Sequence, residues 1–249
     1  MNRTILPFTV SMSTVVLSAA VWSSTTHRPL GSLESDMLGL AGTHLAAGQW
    51  HRLVTSVFLT QGGAVFWRSW AALTVFTGLA ERRWGSWPAV GLFWGGHLWA
   101  VLVVTLGVAT PLYHWGSEAG LLLFTASDVG PSAGYWSCLG AVVAGLPQNR
   151  RRLGGLLIGA ALVVASLVGW STLASAPERV LADATHLVAF ASGFGLMVAL
   201  GRRPIRQPGG EVTSVSPIRG APVVPQPRSA SPGRSGRRRP RRGRRDSEV

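Results

Sequence analysis

Gly130-Pro131-Ser132-Ala133-Gly134-Tyr135-Trp136-Ser137-Cys138-Leu139-Gly140 sets a serine among small residues at the mouth of an apolar segment. Fifty-four residues after Ser132, the stretch Thr185-His186-Leu187-Val188-Ala189-Phe190-Ala191-Ser192-Gly193 places a histidine near the start of a second one. One offers a hydroxyl and the other an imidazole. A serine hydroxyl is a weak nucleophile until a base takes its proton, and an imidazole is the usual base. Whether the two can meet depends on the segments that carry them.

Those segments read as membrane spans. The chain of 249 residues is 47% hydrophobic and only 13% charged, where a soluble domain carries about a quarter charged residues. Its 11 Trp and 31 Gly suit a bilayer, with Trp at the interfaces and Gly where helices approach closely. Apolar runs occupy about 5–22, 63–81, 88–108, 131–147, 154–174 and 184–201. Each is near the ~20 residues that cross ~30 Å of hydrocarbon. No alternation of the β-barrel kind is visible. The expectation is an all-α membrane protein of six spans over residues 1–201, followed by a disordered basic tail at 202–249.

Arginine gives the sidedness. Arg82, Arg83 and the Arg150-Arg151-Arg152 cluster fall on connections that are cytoplasmic if the N-terminus is. The acids Glu34, Asp36, Glu118, Asp128, Glu178 and Asp183 fall on the other side. The sequence thus predicts a multi-pass cell-membrane protein with both termini in the cytoplasm. The net charge of +13 belongs mostly to the tail, where thirteen Arg and three acids leave +10. Such a tail is expected to meet anionic lipid headgroups. No aromatic residues interleave with its arginines, so no specific nucleic acid is expected.

The first outer connection, about 23–62, is too apolar for a solvated loop and predicts short interfacial helices. The span at 131–147 is short: seventeen helical residues reach about 25 Å. With its inner end at the arginine cluster, its outer end stops below the membrane surface. Leu121-Leu122-Leu123-Phe124 is then expected to dip inward to meet it, lining a wet cavity with Ser132 at its floor. Ser132, two residues into its span, and His186, three into its own, then lie at a common depth. His97, mid-span on the third segment, reads as packed and hydrogen-bonded, and Cys138 as a small packing residue. No spacing suggests a metal site, a P-loop or a dinucleotide fold, and no cofactor is expected. A transporter is disfavoured, since no intramembrane carboxylate or broken-helix pair marks a path.

Gly130-x-Ser132 followed by Trp136, Leu139, Gly140 and Ala141 resembles the active-serine helix of the rhomboid intramembrane serine proteases. His186 with Phe190 and Gly193 resembles the last rhomboid helix. Gly48-Gln49-Trp50-His51-Arg52-Leu53-Val54-Thr55 is similar to the family's Trp/Arg stretch in the first outer loop, and Glu81-Arg82-Arg83-Trp84-Gly85 to its Glu-x-Arg-x-Gly motif. The resemblance covers about 40–201.

It implies a Ser–His dyad that cuts a transmembrane segment near its outer end, Ser132 as nucleophile and His186 as base. Gly130 would support the serine, the Trp136 ring would pack on the histidine, and Gly193 would let the two helices approach. Trp50, Arg52, Glu81, Arg83 and Gly85 would be structural. The chain departs from the family at Val65 and Ser69, which occupy the positions of a His-x-x-x-Asn pair that holds the oxyanion. It departs also at Pro131, Ala133 and Ala189. Ser69 or Gln61 could substitute as oxyanion donors. The alternative that these departures leave open is a non-catalytic rhomboid-like protein, a pseudoprotease that binds transmembrane clients.

Overall fold

A computed structural model describes residues 6–201. The expected disordered tail at 202–249 lies outside the described residues. Among the described residues every regular element is helical. These are α1 (Pro7–Trp22), α2 (Ser32–Leu38), α3 (Gly42–Ala46), α4 (Arg52–Thr55), α5 (Gly63–Trp84), α6 (Ser86–Val104), α7 (Thr110–His114), α8 (Glu118–Thr125), α9 (Ser132–Ala144), α10 (Gln148–Trp170) and α11 (Pro177–Ala199). A 3₁₀ turn, Ser56–Phe58, follows α4, and a π turn, Thr105–Ala109, joins α6 to α7.

Among the described residues three helices are long and apolar enough to cross a membrane: Ser86–His114, Gln148–Trp170 and Pro177–Ala199. A shorter apolar helix is Pro7–Trp22. The expected spans at 63–81 and 131–147 are also helices, but α5 carries Arg68, Glu81, Arg82 and Arg83, and α9 has only 13 residues. At 1.5 Å per residue α9 is about 20 Å long.

The short helix is the centre of the bundle. It packs most extensively against α11, then against α6 and α5. Nine of its residues are buried, from Ala133 to Ala144. It has few large side chains, and its neighbours approach because glycines face it. A Cβ on Gly193 would collide with the Ser137 carbonyl, one on Gly96 with the Ser137 side chain, and one on Gly140 with the Phe190 carbonyl. Such close approach gains dispersion contact where lipid gives no hydrophobic drive. Cys138 is fully buried in this packing, as a small packing residue should be. By contrast α10 is peripheral, with only Leu162 and Gly169 buried.

One end of the bundle is pinned by two side chains of α5. Glu81, 2% exposed, accepts from Phe8 N at 3.0 Å, Thr9 N at 2.8 Å, Thr9 Oγ1 at 2.7 Å and Ser86 Oγ at 2.6 Å. Leu6, the residue before α1, has no side-chain acceptor, so this distant carboxylate caps the helix instead. Arg83 donates to the Gly145 carbonyl at the C-terminus of α9. Gly85, at φ 88°, turns α5 directly into α6 in a conformation that favours glycine.

Four boundaries differ from expectation. The third span continues to His114 because the π turn accommodates Pro111, which has no N–H to give the preceding turn. Residues 121–124 are helical, not irregular. Ser117 Oγ accepts from Gly120 N at 3.4 Å and starts α8, which folds back so that Phe124 stacks on Tyr113 at 4.5 Å. The irregular backbone before Ser132 is only 126–131. The helix α10 starts at Gln148 and takes in the arginine cluster, since arginine is a good helix former. The last helix starts at Pro177, seven residues before the expected 184, because proline is pre-set for a first helical position.

At the other end the outer connection lies over the bundle as short helices, as its composition predicts. Leu40, Leu45, Leu53 and Val57 are buried, while Leu33, Met37, Trp50 and Val54 are exposed. Arg52 ties it together by donating to the carbonyls of Asp36 at 2.9 Å and Gly39 at 2.7 Å.

Candidate active site

Ser132 is the first residue of α9. Three backbone contacts fix the chain leading to it. Leu40 and Asp128 exchange N–H···O bonds of 2.9 Å in both directions, and Gly130 N donates to the Ser56 carbonyl at 3.0 Å. Gly130 itself sits at φ 132°, open to glycine and strained for other residues. Pro131, fully buried, then sets the helix direction. No side chain caps α9, so the N–H groups of its first turn point out of the helix start without helical partners.

His186 is the tenth residue of α11, deeper into its helix than the expected third because that helix starts early. It still reaches the level of Ser132. Both line one cavity of about 230 Å³. Gln61, Val65, Ser69, Gly130 and Tyr135 line it as well. The Trp136 ring lies against the His186 ring, centroids 5.7 Å apart and planes inclined at 35°. His186 Nε2 is buried and has no hydrogen-bond partner among the described residues. No hydrogen bond joins it to Ser132 Oγ. A buried polar nitrogen left without a partner is costly, and the residue that carries it lines the same cavity as Ser132.

The other marked residues fall outside the cavity. Gly193 stands two turns beyond His186 on α11, against Ser137. Trp50 is 52% exposed on the outer connection. Arg52, Glu81, Arg83 and Gly85 make the structural contacts described above. His97 is 3% exposed, and its Nε2 meets the Leu53 carbonyl at 3.0 Å, which matches its reading as a packed histidine. Among the described residues no three His, Cys, Asp or Glu side chains group as a metal site.

A family model described as Rhomboid domain matches residues 47–203. The chain belongs to the rhomboid family. The match spans both Ser132 and His186 and begins just before Trp50. No match was found among curated proteins or among solved structures.

The rhomboid cavity also has a charged rim that sequence reasoning missed. Arg68, Asp128, Glu178, Arg179 and Asp183 all line it. Burial pushes the Asp128 carboxyl up to about 7; its bond from Val129 N opposes this, and the nearby Glu178 carboxylate adds to it. A local signal existed for two of these groups. Asp183 and Arg179 precede His186 by three and seven residues, so they share its helix face. For Asp128 the placement depends on its pairing with Leu40, 88 residues away, and nothing local announces that.

Proposed function

We propose that this rhomboid is an intramembrane serine protease that cuts transmembrane segments near their outer end. The observation that carries the reading is the shared cavity of Ser132 and His186, with Nε2 of the histidine buried and unpartnered. In the reaction, Ser132 Oγ attacks the scissile carbonyl while His186 takes its proton. The tetrahedral oxyanion is held by the Ser132 N–H at the start of α9, where the helix dipole favours negative charge, and by Gln61 or Ser69 from across the cavity. His186 then protonates the leaving amine. Water, deprotonated by the same imidazole, releases the acyl group. Trp136 keeps the imidazole in place throughout.

The membrane frame of this reading has six spans, with α5 and α9 added to the four apolar helices. Short α9 is enclosed by its neighbours and need not match the bilayer. Its start then lies beneath the outer surface, where a substrate helix must unwind to reach Ser132. Both termini are cytoplasmic, and the arginine-rich tail meets anionic headgroups there.

Fluorophosphonate labelling tests the nucleophile. The wild-type protein is expected to label and Ser132→Ala is not; equal labelling of the two contradicts the proposal.

A second reading, a client-binding pseudoprotease, is favoured by Pro131, which offers no N–H to the oxyanion, and by the absence of a Ser132–His186 hydrogen bond. It expects Ser132→Ala to retain clients undiminished, with no cleavage by the wild type. The cavity's amide and hydroxyl groups besides Ser132, those of Thr60, Gln61, Ser69 and Tyr135, weigh towards catalysis.

A further inference from the structure

A small second cavity adjoins the Ser132 cavity, and Asp128, Val129 and Gly130 line both. Residues of α6, of the 126–131 segment and of α11 surround it, and it leaves about 10 Å³ for the centre of a water molecule. That is about the room that one buried water needs, provided that roughly two to four polar groups meet it. The walls are buried: Ser56, His97 and Thr185 are each 3% exposed.

His97 carries the polar atom in need of a partner. Its Nε2 meets the Leu53 carbonyl at 3.0 Å. A carbonyl only accepts, so the ring proton stands on Nε2 and Nδ1 is left as an acceptor. That Nδ1 is buried and has no hydrogen-bond partner among the described residues, which is costly. Two further groups that line the cavity complete a set. Asp128 uses one carboxyl oxygen to accept from Val129 N at 2.9 Å. Burial holds this carboxyl protonated up to about 7, so its other oxygen has an O–H to donate. Thr185 Oγ1 gives its only hydrogen to the Leu181 carbonyl at 2.7 Å, so towards the cavity it accepts.

We infer that this cavity binds one ordered water, and that through it His97 positions the segment leading to Ser132. The water accepts from the Asp128 carboxyl and donates to His97 Nδ1 and to Thr185 Oγ1. The imidazole, the carboxyl and the threonine hydroxyl are then all satisfied. Asp128 stands four residues before Ser132, and Thr185 is the neighbour of His186. The bridge therefore ties α6 to both stretches that line the Ser132 cavity. It adds to the Leu40–Asp128 and Gly130–Ser56 backbone bonds that already hold this segment.

Two measurements on the full chain test this. The first is a crystal structure grown in lipid, at a resolution that shows ordered waters. One density peak is expected at about 2.7–3.2 Å from both His97 Nδ1 and an Asp128 carboxyl oxygen. Other buried waters with none at this place, or a direct bond from the Asp128 carboxyl to His97 Nδ1, overturn the site. The second is amide hydrogen exchange at Val129 and Gly130, at a pH of about 5, where the Asp128 carboxyl keeps its proton. His97→Gln keeps a donor near the place of Nε2 and loses the acceptor at Nδ1. His97→Asn keeps an acceptor near the place of Nδ1 and loses the Leu53 bond. His97→Gln is expected to speed exchange at these two amides ~3-fold or more, with His97→Asn near the parent rate. Equal acceleration by both variants, or none in His97→Gln, overturns the positioning role. If neither variant folds, the water peak in the unsubstituted chain still decides. Neither measurement involves cleavage, so the bridge and the protease reading stand or fall separately.

Discussion

The imidazole of His186 lies against the indole of Trp136, with ring centroids 5.7 Å apart, and leaves its buried Nε2 without a partner. The two residues come from different helices, so the contact fixes α9 and α11 in register at the cavity. It also removes rotational freedom from the imidazole. Trp136→Ala should therefore leave the protein folded but lower the rate of reporter cleavage by ~10-fold or more, since small misplacements of a reacting group are expensive. Trp136→Phe, which restores a ring, should recover much of that loss. Initial rates on a transmembrane reporter check both.

Close approach of α9 and α11 rests on Gly193. A methyl group there meets the Ser137 carbonyl with no flexible side chain to yield. Gly193→Ala should cost ~1–3 kcal/mol of stability by overpacking. Gly195→Ala, two residues on, faces open space and should be neutral or slightly stabilising through helix propensity. Thermal unfolding in detergent distinguishes the pair.

Glu81 holds four donors at one end of the bundle. Glu81→Ala leaves the first N–H groups of α1 and the Thr9 and Ser86 hydroxyls without their acceptor, and should cost at least ~2 kcal/mol. The prediction is a lowered Tm with fluorophosphonate labelling intact well below it, since Glu81 lies at the opposite end from Ser132.

Asp128 supplies a pH dependence. Its carboxyl rises from 3.8 to about 7 because burial disfavours the charge. The neutral acid is thus the form the fold prefers. Its contribution to stability is complete below the ordinary aspartate range and is lost as pH rises through about 7. Tm in detergent should fall between pH 5 and pH 8, and Asp128→Asn should flatten that slope. An unchanged slope would assign the effect to another group.

The apolar helices were legible because apolar runs are a local property of sequence. Ser132 and His186 were legible for the same reason: each stands at the start of an apolar run, among small residues. The boundaries that moved did so where a single residue competes with hydropathy. Pro177 starts a helix two turns before its apolar run begins, and Pro111 is absorbed by a π turn that allows the third span to continue. The cavity rim was hidden more deeply. Asp128 reaches it through its pairing with Leu40, 88 residues away, and Arg68 comes to it from α5. Neither contact leaves a periodic trace.

The central claim is that Ser132 and His186 act together on a transmembrane segment. Its most direct test is cleavage of a reporter helix in proteoliposomes by the wild-type chain, by Ser132→Ala and by His186→Ala. The account predicts one discrete product cut near the outer end of the helix, formed by the wild type and by neither variant. Equal product from Ser132→Ala, or none from the wild type over a panel of helices, would contradict it.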